Sequence, residues 1–209
     1  LNNSFVPHHF LIFLILTYYP QSWLYIKMAI SESIKNHSYV LNRIVSDLSL
    51  IEEYTFKMQN TISKSAYSIN LYSSSSIIGK IGVFIKTSEK RRSPWNYTFT
   101  LDHQTEIDLM KEEYEEVFTI LVNGTDGVVC FDYTTLKELL DDNHENTEWI
   151  RVKRDLGEQY SVSGKDGKLT RKISDKEFPR SVLEFASRLQ SNKLSPELQK
   201  PKKSWFSFR

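Results

Sequence analysis

IIGKIGVFIKTSEKRRSPWNYTFT, residues 77–100, runs an apolar strand straight into a cluster of positive charge. Gly82, Val83, Phe84 and Ile85 have the composition of a buried strand, and Lys86, Lys90, Arg91 and Arg92 follow at once. Ser93 and Pro94 then restrict the backbone, Trp95 supplies an aromatic ring, and residues 96–100 alternate as a second strand. Working outward, residues 67–72 (YSINLY) also alternate apolar and polar side chains, and the serine run at 73–76 reads as a turn. Together these segments predict an antiparallel three-strand unit whose second connection is the basic loop 87–95.

The bulk composition fixes what kind of partner that loop can have. Lys and Arg number 27 against 26 Asp and Glu, a formal charge of +1, which excludes a chain that coats nucleic acid through overall basicity. Any electrostatic partner must be met by a local patch. Hydrophobic content of 40% and charged content of 25% are those of a globular domain, not a disordered one. The single cysteine, Cys130, cannot close an internal disulfide, which favours a reducing compartment and a cytoplasmic location.

Helices are expected on both sides of the strands. Ser31 can cap a helix with Glu32 in its first turn, and Ile34, Leu41, Ile44, Val45, Leu48 and Ile51 recur near a spacing of 3.5. Tyr54, Met58 and Ile62 extend the series, so the pattern predicts one long N-terminal amphipathic helix. Asp102 can cap an acidic helix with Ile107, Met110, Tyr114, Val117 and Phe118 on one side and Glu106, Asp108, Glu112, Glu113, Glu115 and Glu116 on the other. Residues 117–122 and 128–133 flank a glycine-bearing loop and predict a hairpin. A capping-box pattern at Thr135 to Glu138 predicts a short helix to Asp142, and WIRVKR at 149–154 alternates as a strand. Residues 160–163 and 169–173 predict a second hairpin, and Phe178-Pro179 opens a C-terminal helix with Val182, Phe185 and Leu189 on one face.

Two terminal segments flank this domain, which is expected over residues 28–190. Residues 1–27 form an apolar extension whose uninterrupted core, 10–19, is shorter than the roughly 20 residues a bilayer span requires. Three readings stay open for it: a translated upstream region with the start at Met28, a membrane or interfacial anchor through residues 10–26, and a packed element of the fold. The anchor reading would make the protein membrane-associated. Residues 191–209 are polar and basic, end in Trp205, Phe206 and Phe208, and are expected to be a flexible tail.

Most chemical motifs are missing. There is no GxxxxGK[ST], GxGxxG or GxSxG pattern, so nucleotide-binding loops and the common hydrolase elbow are excluded. Cys130 sits in an apolar strand without a cationic neighbour in sequence, the setting of a structural thiol. His103 and Glu106 share a helix face but lack a second histidine at helical spacing, and His144 lies in an acidic surface cluster, so no metal, cofactor or catalytic residue is assigned. The basic loop remains. Lys86, Lys90, Arg91 and Arg92 can neutralise phosphates, and Trp95 can stack on a base. The competing reading pairs these cations with the acidic helix that follows.

The run IGVFIKTSEKRRSPWNYTF, with Asp102-His103-Gln104, VFTILVNGTDGVVCFDY and the Trp149 strand, resembles an uncharacterised bacterial domain family over roughly residues 67–189. That resemblance implies no established activity. A looser similarity is to restriction-endonuclease-like (PD-(D/E)XK) folds, in which an acid precedes a strand lysine by two residues. The matching lysine would be Lys86, but Phe84 stands where the acid belongs, and the nearest polar residue on the adjoining strand is Asn70. The similarity therefore implies an inactive or binding-only relative, because Mg²⁺-dependent phosphodiester cleavage needs those carboxylates.

The sequence thus predicts an α+β fold with a central antiparallel or mixed sheet, a long N-terminal helix, an acidic helix and a C-terminal helix. The leading functional expectation is a non-catalytic binding module that meets nucleic acid or another polyanion at Lys86, Lys90, Arg91, Arg92 and Trp95. The alternatives are a degenerate metal-dependent nuclease-like enzyme, and a protein-interaction or structural domain that uses the long N-terminal helix.

Overall fold

The computed structural model describes residues 30–48, 54–58, 63–73, 76–144 and 147–194. Its elements in chain order are α1 (Glu32–Leu48), β1 (Tyr54–Met58), β2 (Ala66–Ser73), β3 (Ser76–Ser88), β4 (Trp95–Thr100), α2 (Leu101–Glu113), β5 (Glu116–Asn123), β6 (Val128–Asp132), α3 (Tyr133–Lys137), β7 (Thr147–Lys153), β8 (Ser161–Gly164) and α4 (Arg180–Leu194). All of them lie within one unit, Glu32–Arg209. The class is α+β, with helices at both ends of the described chain, but the strands form two sheets and not one. A mixed sheet has the order β1-β2-β3-β5-β6, and an antiparallel sheet has the order β4-β7-β8.

The expected three-strand unit is therefore corrected at its third member. β2 and β3 pair antiparallel, Ala66 opposite Phe84. The other edge of β3 is taken by β5, which runs parallel to it from Ile81↔Glu116 to Ser88↔Asn123. β4 leaves for the second sheet and pairs with β7, Trp95↔Val152 through Thr100↔Thr147. The physical reason is the number of faces each strand can bury. β5 is buried at seven consecutive positions, Val117 to Asn123, so it suits the middle of a sheet covered on both sides. β4 alternates, with Trp95, Tyr97 and Phe99 inside and Asn96 and Thr98 outside, as a strand with one wet face must.

Each face of the mixed sheet has its own core. On one side Tyr67, Ile69, Leu71, Ile81, Val83, Ile85, Phe118 and Ile120 pack under α1 and α4, which contribute Val40, Ile44, Leu48, Val182 and Ala186. On the other, Phe84, Val117, Leu121, Val129 and Phe131 meet α2 and the inner face of the second sheet through Trp95, Tyr97, Phe99, Ile150, Val152 and Val162. Helices, five-stranded sheet and three-stranded sheet thus stack as three layers.

Several boundaries differ from those the sequence suggests. α1 stops at Leu48, and residues 54–58 return as β1 against β2, Tyr54↔Leu71. The apolar series Tyr54, Phe56, Met58 satisfies a period of two as well as it extends the helical one. Ile34, expected on the buried face of α1, is exposed. The cap of α2 is Thr100, not Asp102: its side chain accepts from the His103 backbone N–H, and the His103 ring accepts from the Thr100 N–H in return. α2 also ends before Glu115 and Glu116, leaving Val117 and Phe118 to β5. α3 is capped by Asp132, so it begins and ends earlier than the Thr135 pattern indicates. The second hairpin survives as β8 with isolated bridges Tyr160↔Ile173 and Ser163↔Lys168.

Among the described residues no helix is long and apolar enough to cross a membrane. The apolar segment 10–26 lies outside the described residues, as does the expected tail from residue 195 on, whereas residues 191–194 of that tail belong to α4.

Candidate functional site

The loop between β3 and β4 is built to hold its shape. The Trp95 indole Nε1 donates to the Lys90 carbonyl at 2.7 Å, and the Lys90 ammonium donates to the Pro94 carbonyl at 2.8 Å. The Arg154 backbone N–H donates to Ser93 Oγ at 2.9 Å, which ties the end of the loop to the end of β7. From below, the β5–β6 turn presses against the Lys90 carbonyl. A Cβ on Gly124, whose φ is +57°, would stand 2.4 Å from that oxygen, so only glycine serves there. The turn itself is anchored by Asp126, which accepts from Tyr160 Oη at 2.8 Å and from Arg154 Nη1 at 3.2 Å. Arg154 lies over the Tyr160 ring, 4.7 Å from its centroid.

Of the five residues singled out from sequence, the structure brings three together on this loop. Lys90, Arg91 and Arg92 are all exposed. Among the described residues neither Arg91 nor Arg92 has an ion-pair partner. The acidic helix does not neutralise them. Its Asp108 pairs with Lys137, its Glu113 with Lys80, and neighbouring Glu116 with Lys111.

The other two residues sit differently. Trp95 is 1% exposed and meets the Tyr160 ring edge-on at 6.3 Å, so it is a core residue and offers no ring to a ligand. Its place in the pattern already said so, since Tyr97 and Phe99 continue the same buried face. Lys86 is half-buried. Its Nζ lies 3.4 Å from His103 Nδ1 and 5.7 Å from the centroid of Phe99. Burial lowers its pKa, and its charge adds to burial in lowering those of His103 and His37. Among the described residues no carboxylate pairs with Lys86, so the metal-holding arrangement that a nuclease-like site needs is not assembled around it.

A cleft of about 370 Å³ opens beside the loop, lined by Arg91 and by the carboxylates Glu32 and Glu89 with Asn36, Ser88, Gly124 and Thr125. Two acids against one guanidinium do not make a cup for a small anion.

Two further polar clusters lie elsewhere. Asp108 accepts from Tyr133 Oη at 3.0 Å and from His144 Nε2 at 2.6 Å, and its carboxylate stands 3.1 Å from Lys137 Nζ. His144 is 36 residues from Asp108, so the nearby acids Asp141 and Asp142 concealed its real partner. Burial pushes the Asp108 carboxyl up, but hydrogen bonds from His144, Lys137 and Tyr133 and the Lys137 charge outweigh it and hold the pKa below its ordinary value. A depressed carboxyl stabilises the fold above its unfolded pKa, about 4, and that contribution is lost as pH falls through the lower folded value. We expect Asp108→Asn to be less stable than the parent at neutral pH and to show a shallower loss of stability below about pH 4, measured by urea unfolding across the acid limb. Equal slopes would show that Asp108 is not responsible.

The second cluster is Asp141, Glu148 and Asp166, whose carboxylate oxygens approach within 4.8 Å of one another. Oxygen donors of this kind suit a hard divalent cation better than a transition metal. Glu148 is buried in β7, and the other two are exposed. Cys130 is buried, and burial, with Glu177 and Asp132 adding to it, pushes its thiol far above the ordinary range, as befits an inert structural cysteine.

Comparison of the chain with protein-family models, with curated proteins and with solved structures finds no match in any of the three.

Proposed function

We propose that this protein is a non-catalytic binding module that engages nucleic acid or another polyanion through the loop carrying Lys90, Arg91 and Arg92. The observation that carries the reading is the state of that loop: three consecutive exposed cations, two of them without an ion-pair partner among the described residues, on a backbone braced by Trp95, Ser93 and Gly124. Bracing matters because a loop already held in one shape loses little conformational entropy when it binds. Lys86 contributes positive potential from behind the loop and makes no direct contact with the ligand. Trp95 acts by fixing the Lys90 carbonyl.

The two other readings have less behind them. A nuclease-like enzyme needs carboxylates at Lys86, whose polar neighbour is His103. A partner docking on α1 would find its main apolar face, Val40, Ile44 and Leu48, already buried against the mixed sheet.

The test is a titration of labelled duplex DNA and of heparin with the full chain and with the triple variant Lys90→Ala, Arg91→Ala, Arg92→Ala. The variant should bind both more weakly, by tenfold or more at low salt, about what losing two or three phosphate contacts implies. Unchanged affinity would remove the proposal.

A further inference from the structure

We infer that the solvent face of the three-stranded sheet continues the basic loop into a platform for single-stranded nucleic acid, with Trp149 as the ring on which a base stacks. The inference rests on the polyanion reading of the loop and names the form of polyanion it takes.

β7 is the middle strand of that sheet and alternates strictly, with Glu148, Ile150 and Val152 inside and Trp149, Arg151 and Lys153 outside. Trp149 is 40% exposed, a large aromatic on the open face of a central strand where nothing in the fold requires one. Thr98 lies opposite it on β4, so the neighbouring side chain is too short to cover the ring. The Arg151 guanidinium stands 5.5 Å from the indole centroid, and its Nε donates to Asn96 Oδ1 at 2.8 Å. The pair is thereby held in one arrangement, with the planar cation over one face of the indole.

The rest of the face is complementary to phosphate. The outward residues of β4, β7 and β8 are Asn96, Thr98, Thr147, Trp149, Arg151, Lys153, Ser161 and Ser163, cationic or neutral without exception. Lys153 has Asp155 at 3.5 Å, but both are largely exposed, and such a pair exchanges readily for a phosphate contact. Outward side chains along one strand repeat about every 6.6–6.8 Å, so Trp149, Arg151 and Lys153 form an ordered row. The row ends beside the closing residues of the loop. Trp95 pairs with Val152 in the sheet register, and Ser93 Oγ accepts the backbone N–H of Arg154, which places the segment after Arg92 against the residue after Lys153.

A row of cations that tracks a backbone beside an exposed aromatic plane is the arrangement by which proteins hold unpaired strands. Duplex DNA can use the cations but not the ring, because its bases are already stacked on one another. The two kinds of residue therefore separate the two kinds of ligand.

The experiment measures fluorescence anisotropy of a labelled oligothymidylate and of a labelled hairpin duplex, titrated with the full chain. The parent should bind both and prefer the single strand. Trp149→Ala should weaken oligothymidylate binding about tenfold and leave the duplex within a factor of two, while Trp149→Phe should retain most of the single-strand affinity. The triple alanine variant of the loop should weaken both. An unchanged melting temperature for Trp149→Ala would show that the fold is intact, as its surface position implies. If Trp149→Ala binds oligothymidylate as the parent does, or if the parent prefers the duplex, this inference fails and the loop reading stands. If the parent binds neither probe, the loop reading fails and takes this one with it.

Discussion

Replacing Trp95 with alanine should destabilise the fold by about 3–5 kcal/mol, a large part of the stability of a domain this size. The indole is fully enclosed in the core between the two sheets, beside Tyr160, and its removal leaves a cavity that strands on both sides cannot close. It also strips the Lys90 carbonyl of its donor, so the basic loop loses a brace along with the core. Trp95→Phe keeps most of the volume and loses the hydrogen bond, and should cost less, about 1–2 kcal/mol. Urea unfolding of the three proteins gives the order. A Trp95→Ala protein as stable as the parent but defective in binding would contradict the core assignment and return the ring to the role expected from sequence.

Gly164→Ala should be among the most damaging of the glycine replacements that involve no positive φ, with Gly167→Ala, whose Cβ would stand 2.0 Å from the Glu138 carbonyl oxygen. A Cβ there would stand 2.1 Å from the Leu139 carbonyl oxygen and 2.7 Å from its carbon, and both are backbone atoms. The same backbone is fixed from the other side, since the Leu139 oxygen accepts from the Asp166 N–H at 3.1 Å and the Asp141 N–H donates to Asp166 Oδ2 at 3.2 Å. The turn after α3 must then separate from β8, and the loss should reach about 1–3 kcal/mol. Gly79→Ala is the comparison, because its Cβ meets the end of the Leu189 side chain at 2.9 Å, an atom that can move. Thermal unfolding should show a clear drop in melting temperature for Gly164→Ala and a small one for Gly79→Ala. Equal drops would mean that the close approach of β8 to this turn is wrong.

Much of the fold is legible in the sequence where one signal dominates. The runs 117–122 and 128–132 carry their own turn and fold as the β5–β6 hairpin, and a helix follows Pro179, although it begins at Arg180 and leaves the proline just outside its first turn. What could not be read was which sheet each strand joins, because local pattern reports faces and not neighbours. The alternation of Trp95, Tyr97 and Phe99 against the continuous run of β5 held that information, but it becomes decisive only once two sheets are known to compete for β4. The end of α1 was hidden for a related reason, since Tyr54 and Met58 fit a helical series and a strand series equally.

The candidate site divides along the same line. Lys90, Arg91 and Arg92 were legible because a turn between two strands is exposed whatever the topology. The pairing of Asp108 with His144 depends on a contact between residues far apart in sequence. Lys86 illustrates both sides: its position at the end of an apolar strand was plain, whereas its neighbours His103 and Phe99 come from elements that only the fold brings near.

The most direct measurement of the central claim is the dependence of duplex DNA affinity on salt, for the parent and for the Lys90, Arg91, Arg92 triple alanine variant. Each cation that displaces a counterion adds about 0.9 to the slope of log affinity against log salt. If the three side chains meet phosphates, the slope should become shallower by about 2–3 in the variant, with the unfolding curve unchanged. Equal slopes for the two proteins would contradict the assignment of this loop as the contact surface.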